Sequence, residues 1–409
     1  MRYSLYFHIP FCVHRCAYCD FNTYARQEKL IPAYVKALVR EVETVAASAP
    51  EQLPVHTVFF GGGTPSLLSP AQFKQILGVV RKHFNLCPSR SLGNSESSEI
   101  SLEANPGTVT PASLQGLRRE GFNRISFGVQ SAHPDELHHL ERIHDFFDVI
   151  ESIKWARQAG FANVNLDLIY GLPEQTLPRW QESVRRAVDL GPEHLSLYAL
   201  TIEPGTPFGR WYARGLMPIP DPDLAADMYE WVSDYLVGQG YEQYEISNWA
   251  KLGFQCRHNL QYWRNQPYLG FGAGAHGCAH GLRISNVLRI KTYIEHMGSD
   301  HQTPASRCPA LGFPFSPATV RQTSVTKYVE MQETLMLGLR LTQEGVSADA
   351  FRARFGTDLL DEFGKEIEEL VGLGLLEWRP ATPEAHKVIH LTHHGRLLGN
   401  QVFMRFVGE

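Results

Sequence analysis

The first half of the chain alternates short β-rich runs with longer segments of helical periodicity, and this alternation restricts the fold of the 409 residues more than any other feature. Several β-rich runs are almost continuously apolar, as expected of strands buried on both faces of a sheet. Six β/α alternations predict a parallel sheet, either a curled partial barrel or a doubly wound sheet. The predicted strands are 3–9, 55–60, 100–104, 124–129, 164–170 and 194–200, and the predicted helices between them are 32–48, 70–84, 111–120, 134–159 and 177–190.

Polar or glycine-rich residues follow the predicted strands at their carboxyl ends. In α/β barrels the reacting centre is built at that face. Because six consecutive strands deliver such residues to one rim, we expect a single active site there. The residues in question are a cysteine-rich loop after Ile9, the run Gly61-Gly62-Gly63-Thr64-Pro65, Glu103, Asn105, Gln130, Asp167, Thr201 and Glu203.

The pattern changes after residue 205. Five prolines between residues 204 and 222 predict a linker. A helix is predicted at 222–236, followed by a segment rich in glycine and aromatic residues at 241–276. Residues 299–317 are polar and proline-rich, which predicts a second boundary.

Beyond that boundary, helical segments followed by two short β candidates predict a smaller α+β module of winged-helix type. Its predicted helices are 327–340, 348–355, 359–373 and 392–404, and its β candidates are 375–378 and 388–391. We therefore expect a partial barrel at 1–205, a bridging region at 206–298, a linker at 299–324 and the C-terminal module at 325–409.

Charge and composition narrow the setting in which the chain works. A formal net charge of −5 gives no general surface for polyanions, so we expect no nucleic-acid partner. No apolar run reaches the length of a membrane span, and no secretion signal opens the chain, which predicts a cytoplasmic protein. Seven cysteines, an odd number in such a chain, argue against a disulfide framework.

Three of the seven cysteines, Cys12, Cys16 and Cys19, fall within eight residues. Thiolates favour iron-sulfur clusters or zinc. A [4Fe-4S] cluster usually takes four thiolates, so a loop with three leaves one iron open to another ligand. A structural zinc site would instead be closed by His8 or His14. The residues favour the open cluster, and the zinc site and unliganded cysteines on a turn are the alternatives.

The sequence Tyr6-Phe-His-Ile-Pro-Phe-Cys12-x-x-x-Cys16-x-Tyr18-Cys19 resembles the cluster motif of radical S-adenosylmethionine (SAM) proteins. The resemblance is to their HemN-type branch, which includes the oxygen-independent coproporphyrinogen III oxidases and the HemW haem chaperones. It implies an incomplete (β/α)6 barrel, a HemN-type C-terminal module and a [4Fe-4S] cluster on the three cysteines, with SAM on the fourth iron. The SAM contacts implied by the same matching are Tyr6, Tyr18, Gly62, Gly63, Thr64, Glu103, Gln130, Arg142 and Asp167.

The chemistry of these side chains suits SAM. Glycines after a strand allow backbone N–H groups to approach a ligand carboxylate closely. Glu103 and Asp167 can accept hydrogen bonds from the SAM ammonium or a ribose hydroxyl. Arg142 can pair with a carboxylate through two parallel hydrogen bonds.

Phe21 separates the two members of the branch. The oxidases carry a fourth cysteine two residues after the third, and an arm ahead of the cluster that helps to organise the substrate site. Here Phe21 stands at that position and the cluster motif begins at residue 12. The pattern Cys-x-x-x-Cys-x-x-Cys-Asp-Phe resembles the HemW type instead.

The run His258-Asn-Leu-Gln-Tyr262-Trp263 also matches a signature of HemW-type proteins, one that the family associates with haem binding. A neutral imidazole is a competent axial ligand for haem iron, and the two aromatic rings can pack on the macrocycle. The alternative is that His258 forms a hydrogen bond within a loop while the aromatic rings fill the core. Cys256 is a less favoured axial ligand.

These features predict that the chain is a haem chaperone, which delivers haem to haem-requiring, respiratory proteins. The alternatives are an oxygen-independent coproporphyrinogen III oxidase and a zinc-stapled binding module. The expected cofactors are the [4Fe-4S] cluster, SAM and haem as cargo. The expected partners are recipient apo-haem proteins and, if SAM is cleaved, an electron donor; a homodimer and peripheral contact with a membrane stay open.

Overall fold

A computed structural model describes residues 2–86, 97–218, 220–298, 312–382 and 385–407, without the side chains of 380–386. These residues form two compact units. The first comprises Met1–Val232 and Pro267–Thr323, and the second comprises Ser233–Gln266 and Ser324–Glu409. The predicted domain boundaries at 205, 298 and 324 stay predictions, and the greater part of the predicted linker, 299–311, lies outside the described residues.

Six parallel strands form the centre of the first unit. Neighbouring strands pair in the order of the chain, from the first to the sixth. A doubly wound sheet places its first strand inside the sheet and reverses the strand order there, whereas a barrel keeps the chain order. The predicted partial barrel is therefore confirmed. Its strands are β1 (Tyr3–Ile9), β2 (Pro54–Gly62), β3 (Glu99–Ala104), β4 (Arg124–Gln130), β5 (Val164–Tyr170) and β6 (His194–Ala199).

The helices between these strands begin where the sequence places capping residues. The Ser69 hydroxyl oxygen accepts a hydrogen bond from the Gln72 N–H, and Gln72 Oε1 accepts one from the Ser69 backbone N–H. The single helix expected at 134–159 is wrong, because it is interrupted before Asp145. The Asp145 carboxylate caps a new helix by accepting the N–H groups of Phe147 and Asp148, at 2.8 and 3.0 Å. The observed helices are Ile31–Ser48, Pro70–His83, Pro111–Arg119, Pro134–His139, Phe146–Gln158 and Leu177–Asp189.

The barrel does not end at β1, because the glycine-rich segment adds strands to that edge. Strand β7 (Tyr268–Phe271) runs parallel to β1, and β8 (His276–Ala279) and β9 (Leu282–Asn286) continue antiparallel. A Cβ atom on Gly270 would lie 1.8 Å from the carbonyl oxygen of His276. This glycine therefore permits close contact between two backbones, which explains why its segment lacks a strand-like side-chain pattern.

A buried carboxylate joins this extension to the first helix. Glu41 Oε2 accepts hydrogen bonds from the Gly272 N–H and the Tyr293 hydroxyl, each at 2.7 Å. Its Oε1 accepts from Asn286 Nδ2 at 2.6 Å and from the Ser316 hydroxyl at 2.8 Å. The first unit is completed by the helices Pro207–Ala213 and Ile290–Gly298 and the strand Thr319–Ser324, and Pro222–Gly238 runs from the first unit into the second.

The second unit has a core of its own, built by helices that pack on a three-stranded antiparallel sheet. This order of helices and sheet agrees with the predicted winged-helix-like module, except that two short helices replace the single helix expected at 392–404. Its helices are Arg257–Trp263, Lys327–Gly338, Ala348–Phe355, Leu359–Gly372, His393–Leu397 and Gly399–Phe403, and its strands are Glu242–Glu245, Asn248–Ala250, Val346–Ser347, Leu376–Thr382 and Ala385–Leu391. Across the described ranges, every helix is too short or too polar to cross a bilayer.

Candidate functional site

The cysteine-rich loop leaves the carboxyl end of β1 and is held at its base by a short parallel ribbon, Phe11–Cys12 with Tyr24–Ala25. Cys12 is buried, whereas Cys16 and Cys19 are half-buried. Each sulfur lies near a protein donor: Thr64 Oγ1 is 3.8 Å from Cys12 Sγ, Arg142 Nη1 is 3.4 Å from Cys16 Sγ, and Thr23 Oγ1 is 3.9 Å from Cys19 Sγ. Donors of this kind adjust the electron density on cluster thiolates.

Burial changes the ionisation of two of the three thiols. Burial, with smaller contributions from the neighbouring Cys19 and Cys16 and against the lowering effect of the Thr64 hydroxyl, raises the pKa of Cys12 to about 11. Burial likewise raises the pKa of Cys19. Without a metal the buried Cys12 thiol therefore keeps its proton, and a metal cation can take the place of that proton when it binds.

The donor set fits an iron-sulfur cluster better than the alternative zinc site. His8 is engaged at both ring nitrogens, since Nδ1 lies 3.0 Å from the Tyr6 hydroxyl and Nε2 lies 2.9 Å from the Asn22 carbonyl. His14 is exposed and pairs with Glu141 at 3.2 Å. His8 is therefore not available to close a fourth zinc position, and His14 would have to leave Glu141 to do so. Within the part of the chain that the structure describes, no three His, Cys, Asp or Glu side chains form a preassembled metal site.

The glycine run after β2 packs against the cysteine loop. The Gly63 N–H donates to the Ile9 carbonyl at 2.9 Å, and the Thr64 N–H donates to the Phe11 carbonyl at 2.8 Å. The Gly62 N–H donates to Glu103 Oε2 at 3.0 Å. All three amides are thus hydrogen-bonded within the protein, and the contacts of Gly62, Gly63 and Thr64 with SAM stay predictions. The glycines are needed because a Cβ on Gly63 would lie 2.6 Å from the Phe11 carbonyl oxygen.

A cavity of about 370 Å³ opens beside the cysteine loop at the carboxyl ends of the barrel strands. Its volume lies within the range of pockets for small ligands. Tyr6 and His258, both predicted as ligand contacts, are absent from its described lining. The predicted residues that do line it are Cys12, Cys16, Cys19, Tyr18, Gly62, Gly63, Thr64, Glu103, Gln130, Arg142 and Asp167.

Two carboxyl groups in this cavity differ in how they are held. Asp167 accepts hydrogen bonds from the Ser126 hydroxyl of the neighbouring strand and from Asn165 Nδ2 of its own strand, each at 2.7 Å, so both of its oxygens are fixed. Glu103 accepts from Gly62 through Oε2 only, which leaves Oε1 without a protein partner among the described residues. Burial, reinforced by the nearby Asp167, raises the pKa of Glu103 to about 7. Glu103 therefore changes its charge near neutral pH, where an incoming donor can bind its open oxygen.

Arg142 lines the cavity and also contacts the cysteine loop. Besides its contact with Cys16, its Nη2 donates to Asn105 Oδ1 at 2.5 Å and to the Gly128 carbonyl at 2.7 Å. The guanidinium thus lies against the cysteine loop rather than against a carboxylate. Gln130, at the end of β4, has a positive φ of 67°, a conformation that is costly for a residue other than glycine and is found preferentially at functional sites.

Several residues of the cavity were not predicted as ligand contacts. Phe21, predicted only as a replacement for cysteine, is 63% exposed and lines the cavity. Tyr198 and Leu200 line it from the end of β6. Tyr198 is 41% exposed, and a tyrosine near the carboxyl end of the predicted strand 194–200 was the sequence signal that could have identified this wall.

The His258 element lies in the second unit, on the helix Arg257–Trp263. His258 is 1% exposed, and its Nε2 lies 2.9 Å from the Tyr262 hydroxyl. The guanidinium carbon of Arg340 lies over the Trp263 ring, 4.6 Å from the ring centroid. Cys256 is fully buried. The structure thus has the internal hydrogen bond of the alternative interpretation, on a helix rather than in a loop, and the role of His258 as a haem ligand stays a prediction.

Two models of known protein families match the chain, one in its N-terminal half and one in its C-terminal part. The family model of the Radical SAM superfamily matches residues 6–187. The model of the HemN C-terminal domain matches residues 325–398. The cluster loop and most of the cavity fall within the first match, and the helices and sheet of the second unit fall largely within the second.

Individual relatives extend the match over almost the whole length. The heme chaperone HemW of Bacillus subtilis is 40% identical over 408 residues, which are 99% of this chain and 99% of that protein. The heme chaperone HemW of Escherichia coli is 44% identical over 67% of this chain and 69% of its own length. The mitochondrial radical S-adenosyl methionine domain-containing protein 1 of Mus musculus is 35% identical over 92% of this chain and 82% of its own length.

A solved structure shares the fold. Coproporphyrinogen III oxidase (HemN) from Escherichia coli superposes with a TM-score of 0.79 and 25% identity, covering 99% of this chain and 90% of that one. The fold of this chain is therefore shared with that radical SAM enzyme.

Proposed function

This chain belongs to the HemW family within the Radical SAM superfamily, and from that membership we propose that it is a haem chaperone, which binds haem and delivers it to haem-requiring proteins. One observation carries the proposal: the identity of 40% with a heme chaperone extends over 99% of both chains. The similarity thus includes the C-terminal module and the His258 segment as well as the barrel. Respiratory haem proteins as recipients and a cytoplasmic location are part of the proposal.

The barrel would hold a [4Fe-4S] cluster and SAM. Cys12, Cys16 and Cys19 are the proposed cluster ligands, and the nearby hydroxyl and guanidinium donors stabilise their thiolates. When bound, the cluster supplies the site at which SAM attaches to iron and from which an electron can reach SAM. Glu103 offers an open carboxylate oxygen to a SAM donor. Glycine packing between β2 and the cysteine loop keeps this wall of the cavity close to the cluster.

Phe21 favours a chaperone over an oxidase. At the position where the resembling oxidases carry a fourth cysteine, this chain presents an exposed aromatic ring to the cavity. The superposition with coproporphyrinogen III oxidase is the observation that favours oxidase activity. It supports a shared fold more directly than a shared reaction.

An anaerobic assay separates the two functions. The cluster-loaded protein is incubated with SAM, a reductant and coproporphyrinogen III, and a parallel sample is titrated with haem. We expect haem binding at one equivalent and no protoporphyrinogen. Several turnovers of protoporphyrinogen without stable haem binding would replace the chaperone by the oxidase.

The predicted haem ligand is tested in the same titration. His258→Gln preserves a hydrogen-bonding partner for the Tyr262 hydroxyl and removes the axial nitrogen. If His258 ligates haem iron, the variant loses the optical bands of imidazole-ligated haem. A titration identical to that of the wild-type protein would exclude His258 as the ligand.

A further inference from the structure

A second cavity in the first unit, of about 590 Å³, lies next to the cysteine loop. It shares His14 and Arg142 with the cavity of about 370 Å³, and the rest of its described lining is different. Its volume suits a ligand larger than a nucleotide fragment. Nothing in the proposed cluster or SAM chemistry uses it.

The wall of this cavity is aromatic and apolar. Phe208 is almost completely buried and packs at 5.6 Å from the Trp211 ring, with an interplanar angle of 43°. Phe208 also contacts Tyr18 of the cysteine loop, at 6.5 Å between ring centroids. At the rim, Leu216 is 71% exposed, and Ile143 is exposed as well. Large apolar side chains left in water around a cavity mark a surface that a ligand covers.

Two imidazoles stand at the same cavity. His138 and His139 end the helix Pro134–His139, both are exposed, and their ring centroids lie 6.4 Å apart. The third histidine of the lining, His14, is paired with Glu141. Two accessible nitrogen donors therefore face a large apolar space, which is the combination that a flat metal-bearing macrocycle requires.

The backbone around the cavity is strained. Glu141 and Glu174, both in the lining, have positive φ angles of 54° and 61°. Such conformations are costly for residues other than glycine and are concentrated at functional sites. Their carboxylates also disfavour an anionic ligand edge beside them, so a porphyrin would keep its propionates toward solvent.

We propose that this cavity is the haem site of the chain, and that an imidazole of the His138–His139 pair ligates the haem iron while the Phe208–Trp211 wall packs on the macrocycle. The inference rests on the proposed haem-chaperone function and names the site at which that function is carried out. It places the cargo in the barrel unit, beside the cluster loop, instead of at the buried His258.

The test is an anaerobic haem titration of the cluster-loaded full chain, followed by optical and electron paramagnetic resonance spectra. The double variant His138→Ala/His139→Ala should bind haem about tenfold or more weakly and lose the spectrum of imidazole-ligated iron. The matched control is His393→Ala/His394→Ala, which removes another exposed pair of adjacent histidines, in the second unit. It should titrate as the wild-type protein does.

Iron-free protoporphyrin separates ligation from packing. It should bind the double histidine variant as tightly as the wild-type protein, because only the iron needs the imidazole. Leu216→Glu should weaken both haem and protoporphyrin, whereas Leu252→Glu, a change at an exposed leucine of the second unit, should weaken neither.

Each contrary outcome has its own meaning. Wild-type spectra and affinity in the double histidine variant would overturn the proposed ligand, and unchanged binding of both porphyrins by Leu216→Glu would overturn the proposed cavity. Loss of the imidazole spectrum only in His258→Gln would move the site to the second unit. Absence of haem binding by the wild-type protein would instead refute the chaperone function itself.

Discussion

Glu103 gives the proposed SAM cavity a pH dependence that can be measured. Burial and the nearby Asp167 raise the pKa of this carboxyl group to about 7, and its Oε1 is open to a ligand. A hydrogen-bond donor on SAM is held more strongly by the ionised carboxylate than by the protonated acid. SAM affinity that depends on Glu103 therefore rises as pH increases through 7.

The size of the effect follows from this pKa. About one tenth of Glu103 is ionised at pH 6 and about nine tenths at pH 8. Glu103→Gln resembles the protonated acid at every pH. The ratio of the dissociation constants for SAM, variant over wild type, should thus fall by roughly tenfold between pH 8 and pH 6. Groups of SAM itself titrate equally with both proteins and cancel in the ratio.

The assay is equilibrium binding of SAM to the cluster-loaded protein at pH 6, 7 and 8 under anaerobic conditions. Glu203→Gln is the matched control, since Glu203 is a carboxylate at the rim of the same cavity. The ratio for the control variant should stay constant with pH. A constant ratio for Glu103→Gln over the same range would refute a direct contact between ionised Glu103 and SAM.

Three further predictions concern the scaffold of the site. Glu41→Leu removes the acceptor of four buried donors, so it should lower the free energy of unfolding in urea by about 3 kcal/mol or more. Glu43→Leu, on the exposed side of the same helix, should change this free energy little. Equal effects of the two variants would contradict the role of the buried network. Gly62→Ala combines a φ of 109° with a Cβ placed 2.4 Å from the His8 ring, so the iron and sulfide content after reconstitution should fall sharply. Gly78→Ala, which adds its Cβ in open space, should keep the iron and sulfide content of the wild-type protein. Full cluster content in Gly62→Ala would show that this glycine is dispensable. Asp145→Ala removes a helix cap and should cost about 1 kcal/mol in the same urea experiment, and a change below a few tenths would mean that the cap is not needed.

The barrel could be predicted from the sequence because its strands are buried on both faces. Five of the seven residues of the run 164–170 are apolar or aromatic, and the observed strand Val164–Tyr170 has the same bounds. The edge strands β7 to β9 were not predicted, because Gly270 and its neighbours are needed for close contacts between backbones. Their sequence therefore lacks the alternation of apolar and polar side chains that indicates a strand. The break before Asp145 was missed because apolar residues continue on both sides of it, although the aspartate was a visible capping signal.

The cysteine loop and the strand-end residues were predicted correctly as neighbours, since parallel strands bring their carboxyl ends to one rim. The hydrogen-bond partners of these residues could not be read in the same way. The amides of Gly62 and Gly63 turn toward Glu103 and Ile9, because these partners come from other strands, and the Tyr6 hydroxyl contacts His8 of its own strand. The burial of His258 likewise depends on packing within the second unit.

Transfer of haem is the most direct test of the central claim. The cluster-loaded protein is charged with one equivalent of haem and mixed anaerobically with the apo form of a respiratory haem protein, and the spectrum of the acceptor is followed with time. The account predicts that the acceptor spectrum forms as the donor spectrum decays, faster than with haem held by albumin. A protein that binds no haem, or one whose haem stays bound while the acceptor remains empty, would contradict it.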